Sequence, residues 1–360
     1  MTIISTNTVD DGIKLRLWEI FKRIGDHRKS YYLTDLFIEG SISVVPSEEV
    51  LVFISEHRTR DALLLLAERI NDSSYSNEYL EEVINILLLY GDRLIFYILL
   101  RKSSQIPISE EIVLVIFNQY LNVADGSDDL HEIAILFENG LLKKIPLANF
   151  LELFSANSLE RLDRTSECFF RLISGVKNKI FSEDETIMVV NKIIELRLQS
   201  YSIVTSAFLV SIHERSFSDR EFERVIAFIS LLPPSIIDEL PLTFCRATHL
   251  TSDQKKLLLL QIENRGGENT FVQLIYSYLA LVQAQEIRGY SESIPDLALA
   301  LDVIERKGGW SAMMALESIY LQGRGISDEE RIMIRNSYRS MLMRGVGDKK
   351  PTGGLMKKAK

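Results

Sequence analysis

The sequence predicts an all-α fold, an α-solenoid of antiparallel helix pairs, with an irregular multi-helical domain as the alternative. Three observations carry that expectation. Apolar residues recur at helical spacing along almost the whole chain, strict alternation is nearly absent, and serine-headed helix starts return at a regular interval. Bulk composition agrees. Of 360 residues, 46% are hydrophobic, enough for a large core, while 18 glycines and 8 prolines are too few for a many-turned β-sandwich.

Taken from the start of the chain, Ile13, Leu17, Phe21 and Ile24 step by one helical turn each and mark one face of a helix. They fall in an N-terminal helical cap expected over residues 10–45. Ile42 to Val45 is the one strand-like run, too short to found a sheet. The leucine runs Leu63 to Leu66 and Leu257 to Leu260 predict helices buried on two sides. Val83 to Leu100 is the most membrane-like stretch, but Gly91-Asp92-Arg93 divides it. Each piece is far below the ~20 apolar residues of a spanning helix, so buried helices are expected. The opening MTIISTNTVDDG has neither the basic nor the apolar region of a secretory signal, which predicts a cytoplasmic chain.

Helix starts are the more informative signal. Ser47, Ser109, Ser182, Ser218, Ser252 and Ser327 each precede or enter a short acidic or polar turn. A serine oxygen there accepts from an orphan backbone N–H, and the acids sit at the positive end of the helix dipole. Ser182 with Glu185, Ser218 with Glu221 and Ser327 with Glu330 have the spacing of capping boxes. Asn77, Pro146 (as a first-turn proline) and Ser293 complete a series whose mean interval is 35 residues. The upstream helix of each unit is legible in Ala134–Glu138, Cys168–Ile173, Ala207–His213 and Ala315–Leu321. A period near 35 is that of paired helices stacked in a row.

One unit is more specific. Gly308, Ala312, Leu316, Tyr320, Gly323, Gly325 and Ile326, with Gly345 ending the next helix, reproduce a spaced pattern of small, aliphatic and aromatic residues. This stretch resembles the Sel-like repeat, a relative of the tetratricopeptide repeat. Glu317 and Met341-Leu342 depart from the small residues of that pattern. The resemblance covers residues 308–345, and upstream only the period persists. It implies a right-handed solenoid over residues 1–345 whose members grip partner proteins, a scaffold or adaptor without catalysis. In this unit Ala312 is expected to let two helices approach, Leu316 and Tyr320 to fill the seam between them, and Gly323 to take the left-handed cap conformation.

Catalytic and cofactor chemistry has no motif here. The histidines 27, 57, 131, 213 and 249 are scattered with no metal-binding spacing, and Gly323-Arg324-Gly325 lacks the rest of a phosphate loop. Cys168, beside Phe169-Phe170, reads as core; Cys245, beside Arg246, has no catalytic partner nearby in sequence. No cofactor and no metal are expected.

Charge is uneven. The net charge is −9, but residues 331–360 hold nine Lys and Arg against Asp348, which makes them +8 and the remainder −17. Arg331, Arg335 and Arg339, four apart, form a cationic stripe on the last helix, followed by a basic tail over 346–360 whose glycines and Pro351 predict disorder. This end is either a polar solenoid cap or an anion-binding surface for an acidic protein segment, RNA or an anionic membrane. The acidic body argues against a nucleic-acid groove along the whole chain, leaving nucleic-acid binding by the basic end as the alternative function.

Overall fold

The computed structural model describes residues 10–24, 27–38, 45–71, 77–123, 127–154, 162–198, 201–288, 297–323 and 325–346. Among them every regular element is a helix. The chain divides into two compact units, residues 1–153 and 154–360. The first unit carries α1 (Asp11–Ile24), α2 (His27–Ile38), α3 (Ser47–Glu56), α4 (Arg60–Glu68), α5 (Asn77–Tyr90), α6 (Arg93–Lys102), α7 (Glu110–Val123), α8 (Ser127–Glu138) and the short α9 (Leu147–Leu151).

Within this unit α2 packs on α4 and α4 on α6, while α3 packs on α5. The supposed membrane-like stretch is the junction of α5 and α6. Gly91 ends the first, and Asp92 caps the second by accepting from the Ile95 N–H at 3.1 Å. No helix among the described residues is long and apolar enough to cross a membrane. The core is built from residues such as Ile54, Leu66, Val83, Leu99 and Phe117, each essentially sealed from solvent. At the far end, the buried Tyr120 donates to Glu132 Oε2 at 2.9 Å, which also accepts from Arg93 at 3.0 Å, joining α6, α7 and α8.

The second unit carries α10 (Leu162–Lys177), α11 (Glu183–Glu195), α12 (Ser202–Glu214), α13 (Asp219–Ile229), the one-turn α14 (Pro234–Ile237), α15 (Leu240–Arg246), α16 (Ser252–Arg265), α17 (Glu268–Arg288), α18 (Leu297–Lys307), α19 (Trp310–Gln322) and α20 (Asp328–Met343). Two series of contacts run through it. One joins α10, α12, α15, α17 and α19 in turn; the other joins α11, α13, α16, α18 and α20. Consecutive helices also pair, as α10 with α11, α15 with α16, α17 with α18 and α19 with α20. Burial follows helical spacing: Phe222, Val225, Phe228 and Ile229 are the inner side of α13, and Phe228 meets Phe208 of α12 at 4.4 Å between ring centroids.

Polar bonds reinforce the same neighbour relations. In each unit, side chains reach partners 36 to 39 residues away: Lys144 donates to the Ile106 and Ile108 carbonyls, Arg215 to Val176 O, Gln254 to Phe217 O, Arg265 to Ile229 O and Arg344 to Arg306 O. Most of these acceptors are carbonyls at or just beyond a helix end, left without intrahelical partners. A Lys, Arg or Gln side chain from further along the chain donates to each, at Ile106 O, Val176 O and Ile229 O alongside a backbone N–H.

The expected caps are present in part. Ser182, Ser218 and Ser327 form complete boxes with Glu185, Glu221 and Glu330, and Ser109 accepts from Ile112 N at 3.3 Å. Three positions are corrected. Ser47 is the first helical residue of α3, with Pro46 at the cap and no side-chain bond. Pro146 likewise stands at the cap of α9, outside the helix. At 251–252 the cap is Thr251, boxed with Gln254, because Ser252 already lies in the helix. The two leucine runs also differ: Leu63 and Leu66 are buried, whereas Leu257 and Leu260 are 42% and 45% exposed, so α16 has one covered side. Ser293, Ile42 to Val44, the side chains of Leu17, Phe21 and Ile24, and the tail from 347 onward lie outside the described residues.

Candidate functional site

One mixed polar and apolar surface of the second unit is a groove over α12, α15 and α17, members of one contact series. Its volume is about 570 Å³. Leu209 and Val210 of α12, Leu242 of α15 and Ala280 of α17 supply apolar walls. Leu242 is 41% exposed and Tyr276 of α17 is 44% exposed, large surfaces facing water without cover. The one-turn α14, begun by Pro233-Pro234, precedes α15.

The rim is polar and available. Glu239 and Arg246 stand at the two ends of α15, ~10 Å apart along the axis at 1.5 Å per residue. Neither side chain makes a hydrogen bond or ion pair among the described residues, nor does that of Gln273. Asp238, by contrast, is occupied: it accepts from Asn269 at 2.9 Å and from Thr270, tying α14 to the start of α17. Half-buried His213 completes the rim. Burial lowers its pKa, Arg246 and Lys177 act in the same direction, and Glu214 opposes them. Lys177 meanwhile holds the Glu214 carboxylate at 2.7 Å and keeps its pKa low.

A pH test follows from this setting. Since its folded-state pKa is depressed below the ordinary ~6.5, His213 contributes stability that is complete above about pH 6.5 and lost as pH falls through the folded value. His213→Gln is expected to lose less melting temperature than the parent between about pH 7.5 and 5. Equal losses in thermal scans would contradict the assignment.

A second hollow, about 560 Å³, lies between α16 and α18 around the exposed Leu257 and Leu260. Its charges serve one another: Arg306 pairs with Glu263 at 3.2 Å and Asp302 at 3.0 Å, and Lys256 with Asp253 at 2.8 Å. That leaves fewer polar groups to read a ligand than the α12–α15–α17 groove offers.

The residues of the repeat-like unit come together around α18, α19 and α20. Ala312 and Leu316 are sealed in the core and Tyr320 is half-buried. Gly308 is a point of close approach, since a Cβ there would stand 3.1 Å from both Ala312 Cβ and Met341 Cε and 2.7 Å from Ile304 O. Gly323 departs from expectation. Its φ is −63°, so it is not the left-handed cap; glycine is needed because a Cβ would meet Ile319 O at 2.5 Å and Ile326 Cδ1. The left-handed residues are Gly325 and Gly345, both at φ 77°.

The three arginines separate. Arg331 turns inward and donates to Tyr320 O at 2.9 Å and Gly323 O at 2.6 Å, closing the C-terminus of α19. Arg335 and Arg339 are exposed on α20. Cys168 is buried, which pushes its thiol up to about 12, and Cys245 is buried in α15. His57 stacks on Phe53 at 4.2 Å and His249 is exposed. Among the described residues no group of His, Cys, Asp and Glu could hold a metal ion.

No family model matches the chain, no curated protein is similar to it, and no solved structure matches it.

Proposed function

We propose that the chain is a non-enzymatic scaffold whose helix pairs stack, within each unit, as a right-handed α-solenoid of tetratricopeptide or Sel-like type, and that it binds a partner protein along the α12–α15–α17 groove. The observation that carries the reading is the groove's position on three helices of one contact series, each from a successive pair. A segment lying across them would cover Leu242 and Tyr276 and meet Glu239 and Arg246, groups the fold itself does not use. The bonds reaching 36 to 39 residues back support the stacked arrangement, because they join the α12–α13, α15–α16 and α19–α20 pairs each to the pair before it. Peptide-binding grooves of this kind draw affinity from a few buried anchors with a polar rim for register.

Affinity purification of the full chain beside a Leu242→Asp/Tyr276→Asp variant tests this, with quantitative mass spectrometry as the readout. Both positions are exposed, so the variant is expected to melt with the parent. A protein recovered with the parent and depleted at least about tenfold with the variant is the expected outcome. Equal recovery from both would remove the groove from the account, and recovery that depends on intact RNA would favour the nucleic-acid alternative.

A further inference from the structure

The outer face of α20 has a composition that neither packing nor capping explains. Ile334, Ser337 and Met341 form its buried side. At 100° per residue, Ile332, Arg335, Arg339, Leu342 and Met343 fall together on the opposite arc, spanning ~16 Å of axis. Their aliphatic members are open to water: Ile332 is 58% exposed, Leu342 48% and Met343 88%. A helix that merely closed the end of a stack would be polar there. The flanking arginines have other work, Arg331 on the end of α19 and Arg344 on the Arg306 carbonyl at 2.6 Å. Arg335 and Arg339 are thus the two cations of α20 directed to the exterior. Asp328 and Glu329 occupy the first turn, so positive charge and apolar surface both increase toward Met343.

We propose that this face of α20 docks on an anionic lipid surface. Such a surface offers phosphates and carboxylates to the guanidinium groups at the depth where an acyl-chain boundary accepts Ile332, Leu342 and Met343. An RNA backbone would satisfy the arginines but leave the aliphatic side chains in water. Charge complementarity selects the orientation. By sequence, residues 331–360 carry +8, which such a surface attracts, and residues 1–330 carry −17, which it repels, so contact through α20 is favoured. Apolar contact and polybasic attraction are each weak alone, and reversible attachment uses both.

Co-sedimentation of the full chain with phosphatidylcholine vesicles, with and without about a third phosphatidylserine, tests the proposal. Binding is expected on the anionic vesicles alone and is expected to fade as salt rises toward about 0.5 M. Arg335→Ala/Arg339→Ala is expected to weaken it roughly thirtyfold, from ~1 kcal/mol per basic residue at such a surface. Leu342→Ser/Met343→Ser is expected to weaken it at least about tenfold, while Lys256→Ala leaves it unchanged. Circular dichroism melts establish that each variant is folded. Four results would overturn the proposal: no binding to anionic vesicles at low salt, equal binding to neutral ones, a serine variant that binds like the parent, or polyuridylate binding without vesicle binding. Self-association abolished by the arginine variant would overturn it too, assigning the face to a second copy.

Discussion

Glu221→Ala is expected to remove about 3–5 kcal/mol of stability from the second unit, the cost of leaving a buried cation without its partner. Glu221 is 5% exposed and Arg215 6% exposed at their side chains, and they meet at 2.6 Å. The arginine is held on every side, by Val176 O at 2.7 Å, by Ser216 O at 3.1 Å and by the face of Phe217 at 4.4 Å, so it cannot turn to water without dismantling the turn between α12 and α13. Glu221 also closes the capping box of α13 by accepting from Ser218 N at 2.8 Å. Glu221→Gln, which keeps the shape and the cap acceptor, is expected to lie between the alanine variant and the parent. Chemical denaturation checks the order, and an alanine variant within about 1 kcal/mol of the parent would show that the pair is dispensable.

Leu316→Ala is expected to cost about 2–5 kcal/mol. Leu316 is 1% exposed and stands among Leu274 of α17, Ile304 of α18, Ile319 of α19 and Ile334 of α20. Truncation opens a cavity where four helices converge, in an interior packed too closely to collapse fully onto it. The comparison is Leu342→Ala on the outer side of α20, expected within about 0.5 kcal/mol of the parent. Denaturation midpoints that fall equally for both would place the core elsewhere.

The helical class and the helix starts were legible because their causes are local. At a helix start, a serine three residues before a glutamate can make reciprocal bonds with it, and Ser182, Ser218 and Ser327 make them here. At Thr251-Ser252 the box spacing belongs to Thr251, with Gln254 three residues on, while Ser252 has Lys255 there; a glutamine can close the box as a glutamate does. At Pro46-Ser47 the proline takes the cap position, which draws the serine into the helix. The local pattern points to a left-handed role for Gly323, because glycine commonly has one after a helix; crowding by Ile319 and Ile326 is a cause that the pattern does not carry.

The groove was not legible at all. Leu242 and Tyr276 are ordinary apolar members of two helices more than thirty residues apart, and nothing in their neighbours marks them as uncovered. The inserted turn α14 further shifts α15 out of the regular interval. The arginine stripe was legible as charge but not as function, since the inward bonds of Arg331 depend on where α19 ends. The division between Leu153 and Phe154 falls in LELFSANSLE, which has neither proline nor glycine to announce it.

The central claim is that neighbouring helix pairs stabilise one another in series, and native-state hydrogen exchange of the Glu221→Ala variant tests it most directly. In a serial stack, protection is expected to fall in α10 to α13 and in the adjoining α15 and α16, while α18 to α20 keep the parent's exchange rates. Uniform loss of protection from α10 through α20 would contradict the account, because it would mean one undivided core and not a row of coupled pairs.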